Sequence, residues 1–237
     1  MFGLRQPLRR AQREEGEKPF WISFSDLMSA LMVLFLVAMT VALLAITHEV
    51  SETERQKAQR DEEIRLLLER MREATKDYPG VSIRSRSVDF GDRARFDTNS
   101  HKLSSDQAKV LRGFVPKVLL AARDPLGEKW LKRVVVEGFA DPRGSYLHNL
   151  NLSLQRSERV LCALMAGPET AADALAEADR LLVRELFMVG GSSFNAFKES
   201  LEESRRIELK LEFLEIGELR QSPRGLPLER DVRCPLD

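Results

Sequence analysis

Cysteine and histidine are scarce: two cysteines and three histidines in 237 residues. Cys162 and Cys234 lie far apart and lack metal-ligand spacing, which excludes a thiolate zinc site. In an oxidising compartment they could pair, and their spacing alone leaves that open. His48, His101 and His148 stand isolated along the chain, form no catalytic or metal constellation, and are expected to be surface or packing residues. There is no glycine-rich phosphate loop and no nucleophile-base pair, so no enzyme, no cofactor and no metal is expected. Nor is there an excess of either charge, with 37 Lys and Arg against 37 Asp and Glu, which removes any electrostatic case for direct nucleic-acid binding.

What the chain does have is one long apolar run. From Leu27 to Ile46 the residues are almost wholly apolar, and about 20 residues at roughly 1.5 Å each are what a helix needs to cross a bilayer. Residues 20–47 are therefore expected to form a transmembrane helix. The span carries one acid, Asp26, roughly 9 Å past the aromatic anchors Phe20 and Trp21. A carboxylate toward the centre of a span costs on the order of 2.5–3.5 kcal/mol, and such a cost persists only with a partner or a job. Ser23, Asp26, Ser29, Ala30, Val33, Val37 and Thr40 fall within about one third of the helix circumference. This small, weakly polar stripe suits close approach of another helix, so Asp26 is expected to face protein or a hydrated path. The alternative is an acid that snorkels to the interface.

Residues 1–19 form a basic tail with Arg5, Arg9, Arg10, Arg13 and Lys18, whereas the far flank opens with His48, Glu49, Glu52 and Glu54. The positive-inside rule places the N-terminus in the cytoplasm and the remainder outside the inner membrane. A cleaved signal peptide competes with this assignment, but the run is too long, holds Asp26, and offers no small-x-small cleavage site at Leu43, Leu44 and Ala45.

Residues 48–79 read as a charged helical linker, without Pro or Gly from Glu49 to Asp77. In it Ile64, Leu67, Met71, Ala74 and Tyr78 repeat in steps of three and four. Two uses are open: a short parallel coiled coil, or one amphipathic helix resting on the domain that follows. Pro79-Gly80 marks the boundary. Over residues 80–216 the pattern predicts a strand from Val81, a short one over Ala94–Phe96, and a helix from Ser104 or Ser105 toward Ala122, kinked or split at Pro116. A strand over Trp130–Phe139, a turn at Asp141–Gly144 and a helix over Ser145–Met165 come next. Then follow a helix over Ala171–Glu185 and strands over Leu186–Val189 and Arg206–Leu214. The fold class is an α/β (α+β) sandwich with helices on one sheet, followed by a Pro-containing tail over residues 217–237.

Gly138 to Val160, GFADPRGSYLHNLNLSLQRSERV, resembles the signature of OmpA-like peptidoglycan-binding domains at Gly138, Asp141, Gly144, Asn149, Leu152, Ser153 and Arg156. FDTNSHKL from Phe96 and ESRRIELKLEF from Glu203 fit the same family, although Phe139-Ala140 stand where it usually has His-Thr or Tyr-Thr. The resemblance implies that Asp141 takes the ammonium and Arg156 the carboxylate of the diamino acid in a cell-wall peptide stem, with Asn149 and Leu152 shaping the wall of the pocket. Charge-assisted hydrogen bonds from a fixed Arg and Asp suit that ligand. The alternative is that Asp141 and Arg156 pair with each other to brace the turn.

FWISFSDLMSALMVLFLV is similar to the transmembrane segment of MotB-type stator subunits, with Asp26 at that family's ion-carrying position, and the order tail, span, linker, OmpA-like domain is the MotB order. Within that family the chain looks most like the MotB-like subunits of Zorya-type antiphage defence systems. The resemblance implies a homodimer inside a ring of a polytopic MotA-like partner, five subunits to two. It also implies H⁺ or Na⁺ as the translocated ion, peptidoglycan as the anchor, and cytoplasmic defence effectors as indirect partners. A flagellar stator subunit, a purely structural wall tether and a plug of the ExbD or TolR type are the other readings. Those plugs lack the Asn-x-x-Leu-Ser-x-x-Arg signature.

Overall fold

The computed structural model describes residues 17–220 and 234–236. Most of the basic tail and most of the Pro-containing C-terminal tail lie outside the described residues. Contacts divide the chain into two compact units, one ending at Gln56 and the other beginning at Lys57.

In the first unit, helix α1 (Glu17–Thr75) supplies the apolar run. Trp21, Leu27, Leu34, Phe35, Leu44 and Ile46 are all exposed, which a helix of this composition tolerates in lipid and not in water. The hydroxyls of Ser29 and Thr40 donate back to the carbonyls of Ser25 (2.8 Å) and Leu36 (2.6 Å), as isolated Ser and Thr do in apolar helices.

The last turns of α1 belong to the second unit. Ile64, Leu67, Leu68 and Met71 are buried in its core, and Tyr78 donates its hydroxyl to the Gly113 carbonyl at 2.7 Å. Arg60 donates to the Leu214 carbonyl at 2.7 Å, and Glu63 accepts from Lys129 at 2.6 Å and Trp130 at 2.5 Å. The stripe at a and d spacing is thus spent on packing inside the same chain, the second of the two uses. The expected linker is divided accordingly, with its C-terminal part continuous with the domain.

The remaining elements are β1 (Ser82–Arg84), β2 (Ser87–Asp89), α2 (Ser105–Arg123), α3 (Pro125–Trp130), β3 (Leu131–Gly138), α4 (Tyr146–Met165), α5 (Glu177–Leu186), β4 (Phe187–Gly191), α6 (Leu201–Ser204) and β5 (Ile207–Phe213). They build one sheet in the order β1-β2-β5-β3-β4, antiparallel except for β3 beside β4. Leu131, Val134 and Val136 of β3 and Ile207, Leu209 and Leu211 of β5 are buried toward the helices. The other face carries charged cross-strand pairs such as Arg133 with Glu212 at 2.6 Å. This is the expected α/β sandwich with its helices on one sheet.

Four local expectations are corrected. Instead of a single strand from Val81, Ser85 takes a left-handed φ of 53° and turns the chain back, so that Ile83 and Val88 face each other across a hairpin and are both buried. Ala94–Phe96 is no strand; a 3-10 turn over Gly91–Ala94 leads into Phe96, whose N–H donates to the Arg205 carbonyl and whose carbonyl accepts from Arg205 Nε. The helix expected from Ala171 begins at Glu177. Its would-be first turns are irregular, with Asp173 drawn to Arg112 at 2.7 Å and Leu175 buried. α2 meanwhile runs unbroken through Pro116, held at its start by a reciprocal Ser104–Gln107 capping box and along its length by Leu111, Phe114, Val118 and Leu119.

Two glycines let α4 descend onto the sheet. A Cβ on Gly138 would lie 2.0 Å from the Ser153 carbonyl oxygen, and one on Gly191 would lie 2.6 Å from its hydroxyl. Ser157 in turn donates to the Gly190 carbonyl at 2.6 Å. Gly138→Ala should therefore push the helix off the strand ends and destabilise the domain by about 3 kcal/mol. Chemical denaturation of the full chain in detergent reads this directly, and a loss under about 1 kcal/mol would mean the helix yields freely.

Candidate functional site

The three sequence segments singled out above converge where β3 ends. Asp141-Pro142-Arg143-Gly144 turns with Gly144 at φ 97°, a conformation that suits glycine, and Ser145 caps α4 by accepting from the His148 N–H at 3.3 Å. Asn149 ties the turn to the helix, its side-chain amide donating to the Arg143 carbonyl at 2.8 Å. Thr98, Asn99, Ala140, Asp141, Arg143, His148, Asn149, Leu152 and Arg156 line a cavity of about 280 Å³. All four expected site residues of the domain, Asp141, Asn149, Leu152 and Arg156, are thus brought together. Asp26 belongs to the other unit and makes no hydrogen bond or ion pair among the described residues.

The alternative, a direct pair between Asp141 and Arg156, is not formed. Arg156 is fully buried beneath the cavity, where Nε donates to the Ser100 carbonyl (2.9 Å), Nη1 to Phe139 (2.7 Å) and Nη2 to Asp97 (3.0 Å). Its guanidinium also stacks over Phe96 at 5.1 Å. Three of its five N–H groups are spent on these carbonyls. Burial, with the neighbouring charge of Arg205, pushes its pKa down to about 10, leaving it cationic at neutral pH.

Asp141 is buried as well, and its partners are Arg143 (2.7 Å) and Arg205 (3.2 Å). Hydrogen bonds from Arg143 above all hold its carboxyl at about 2, so it is an anion at any physiological pH. The cavity is thus lined by one carboxylate and the guanidinium groups of Arg143 and Arg156, with Arg205 on Asp141 outside the lining, a set that suits a ligand carrying both an ammonium and carboxylates.

Arg143, Thr98, Asn99 and His148 at the cavity, and Arg205 on Asp141, are further candidates that the sequence does not single out. His148 is a surface residue, as expected, and its Nε2 lies 2.7 Å from Asn99 Oδ1 beside the cavity. For Arg205 a signal existed. It lies in the segment from Glu203 to Phe213 that carries the resemblance, just before β5. Arg206 stacks on Phe139 at 4.0 Å, and Arg205 is the one at Asp141.

The sequence leaves the pairing of the two cysteines open, and the fold makes it: Cys162 of α4 and Cys234 form a disulfide with Cα atoms 5.4 Å apart.

No family model matches the chain. Among solved structures, similar chains include the OmpA-like domain of FopA1 from Francisella tularensis subsp. tularensis SCHU S4, at 16% identity and a TM-score of 0.36 over 57% of this chain and 82% of that one. The cell wall anchor of the T6SS from Pseudomonas aeruginosa is 21% identical with a TM-score of 0.37, over 60% of this chain and 94% of that one. The peptidoglycan-associated lipoprotein from Burkholderia pseudomallei is 16% identical with a TM-score of 0.33, over 55% and 91%. Among curated proteins, the Zorya protein ZorB of Escherichia coli O139:H28 (strain E24377A / ETEC) is 41% identical over 224 residues, 93% of this chain and 91% of that protein. The uncovered 7% of 237 residues is about 17, so wherever that span begins it includes both Asp26 and the segment from Asp141 to Arg156. With that much of both chains matched at that identity, the protein belongs to the ZorB family of Zorya proteins.

Proposed function

We propose that this chain is the wall-anchored, ion-carrying subunit of a rotary motor in the inner membrane, serving a Zorya-type antiphage defence system. Two copies sit within a ring of five polytopic MotA-like subunits. The Asp26 carboxyl group accepts H⁺ or Na⁺ from one side of the membrane and releases it toward the other. A membrane potential contributes about 2.3 kcal/mol per charge per 100 mV to that passage, enough to bias rotation of the ring about the dimer. The domain keeps the dimer from turning by gripping the peptide stems of peptidoglycan, and the rotation is passed to cytoplasmic effectors.

The observation that carries this reading is the kinship with ZorB along nearly the whole of both chains, spanning the one acid of the apolar helix and the charged cavity alike. The ligand assignment is supported by a buried anion and a buried cation on one cavity floor. Orientation has two independent supports: the basic tail favours a cytoplasmic N-terminus, and the Cys162–Cys234 disulfide favours an oxidising compartment for the domain.

The anchor is tested by co-sedimentation of the full chain, in detergent, with purified peptidoglycan. Asp141→Asn keeps the shape and removes the charge, and is expected to weaken binding about 10- to 100-fold while leaving the chain folded, as checked by its melting curve. Undiminished sedimentation of the variant would refute the pocket.

A further inference from the structure

The anion that wall binding assigns to an incoming ammonium is already taken. Asp141 Oδ1 accepts from the backbone N–H and from Nε of Arg143, each at 3.1 Å, and Oδ2 accepts from Arg143 Nη2 at 2.7 Å and Arg205 Nη1 at 3.2 Å. The two guanidinium groups are held very differently. Arg205 has a side chain only 12% exposed and is anchored besides by the carbonyls of Phe96 (2.8 Å) and Leu201 (3.2 Å). Arg143 has a side chain 52% exposed, and its further bond is to the Thr98 hydroxyl at 3.2 Å. Its backbone is secured separately, through its N–H on Asp141 and its carbonyl on Asn149. The guanidinium can therefore swing into water while the turn stays in place, and moving Arg205 instead would strip the carbonyl of buried Phe96 as well as that of Leu201.

Resting on the wall-binding role proposed above, we infer that Arg143 is a built-in competitor: its guanidinium holds on Asp141 the place of the ligand's ammonium and must leave before a diamino-acid stem can bind. A guanidinium is the right surrogate, because its planar fork meets the carboxylate with two parallel bonds where an ammonium offers a point charge. Being half in water, the pair is weak enough to be displaced, and it lowers the apparent affinity by about three- to tenfold. It also supplies the second cation on Asp141, beside Arg205, when the wall is out of reach.

The test is the affinity of the full chain in detergent for a soluble disaccharide-peptide carrying diaminopimelate, measured by calorimetry for the wild type, Arg143→Met, Arg143→Lys and Asp141→Asn. Arg143→Met keeps the apolar stem and removes the rival cation, so it should bind about three- to tenfold tighter than wild type, with Arg143→Lys in between and Asp141→Asn much weaker. Tighter binding by Arg143→Met when the wild type is below detection would support the inference equally. If wild type binds and Arg143→Met binds equally or more weakly, Arg143 is a ligand contact or a brace, and the inference falls while the wall-binding role stands. Absence of binding by both wild type and Arg143→Met overturns the two together. Melting curves of the variants guard against misfolding as a cause of lost affinity.

Discussion

Cells in which Asp26→Asn replaces the wild-type chain should lose ion-dependent function completely, losing phage protection to the level of a deletion, while the protein still inserts in the membrane at normal abundance. The substitution is nearly isosteric, and it removes the one property that a carrier needs, a site that alternates between charged and neutral forms. Insertion should if anything improve, because the variant no longer has to place a carboxylate among the apolar residues from Leu27 to Ile46, a cost of about 2.5–3.5 kcal/mol near the centre of a span. Asp26→Glu retains the titrating group on a longer arm and should keep partial activity. The readouts are plating efficiency of phage on cells co-expressing the whole defence system, and the amount of chain in washed membranes. Full protection by Asp26→Asn would leave the helix as an inert anchor and favour the structural tether.

Arg156→Ala should be the most damaging single change in the domain, destabilising it by about 3–5 kcal/mol. The guanidinium is fully buried, and its removal strands the carbonyls of Asp97, Ser100 and Phe139 and opens a hole beneath the cavity beside Phe96. At roughly 2–4 °C per kcal/mol for a chain of this size, the melting temperature of the full chain in detergent should fall by roughly 6–20 °C. Arg156→Lys keeps the charge but cannot serve three carbonyls spread around a planar fork, so it should recover only part of the loss. A fall of under about 2 °C would mean that Arg156 serves the ligand more than the fold. The expected fall also makes Arg156→Ala a poor probe of wall binding, which is why Asp141→Asn and Arg143→Met carry that test.

The apolar span, its single acid and the succession of strands and helices were all legible in the amino-acid sequence, because each is set by residues within a few positions of one another. Composition over about 20 residues decides whether a helix can lie in lipid, and periods of 2 or 3.6 decide which side of an element is apolar. The sequence also brought Phe96–Leu103, Gly138–Val160 and Glu203–Phe213 under one resemblance; the first two line the cavity and the third reaches it through Arg205 on Asp141. Only the tertiary structure decided who partners whom. The stripe from Ile64 to Met71 suits a coiled coil and a core equally well, and the domain beside it took it up. Ile83 and Val88 fall out of phase in a single strand and into phase across a hairpin, a difference made by one left-handed residue, Ser85. Asp141 found Arg143 and Arg205 and not Arg156, and Cys162 found Cys234 from 72 residues away. Hydrogen bonds and disulfides act over a few ångströms, and which groups come that close depends on how the packed layers settle, a property of the whole fold and of no single stretch of it.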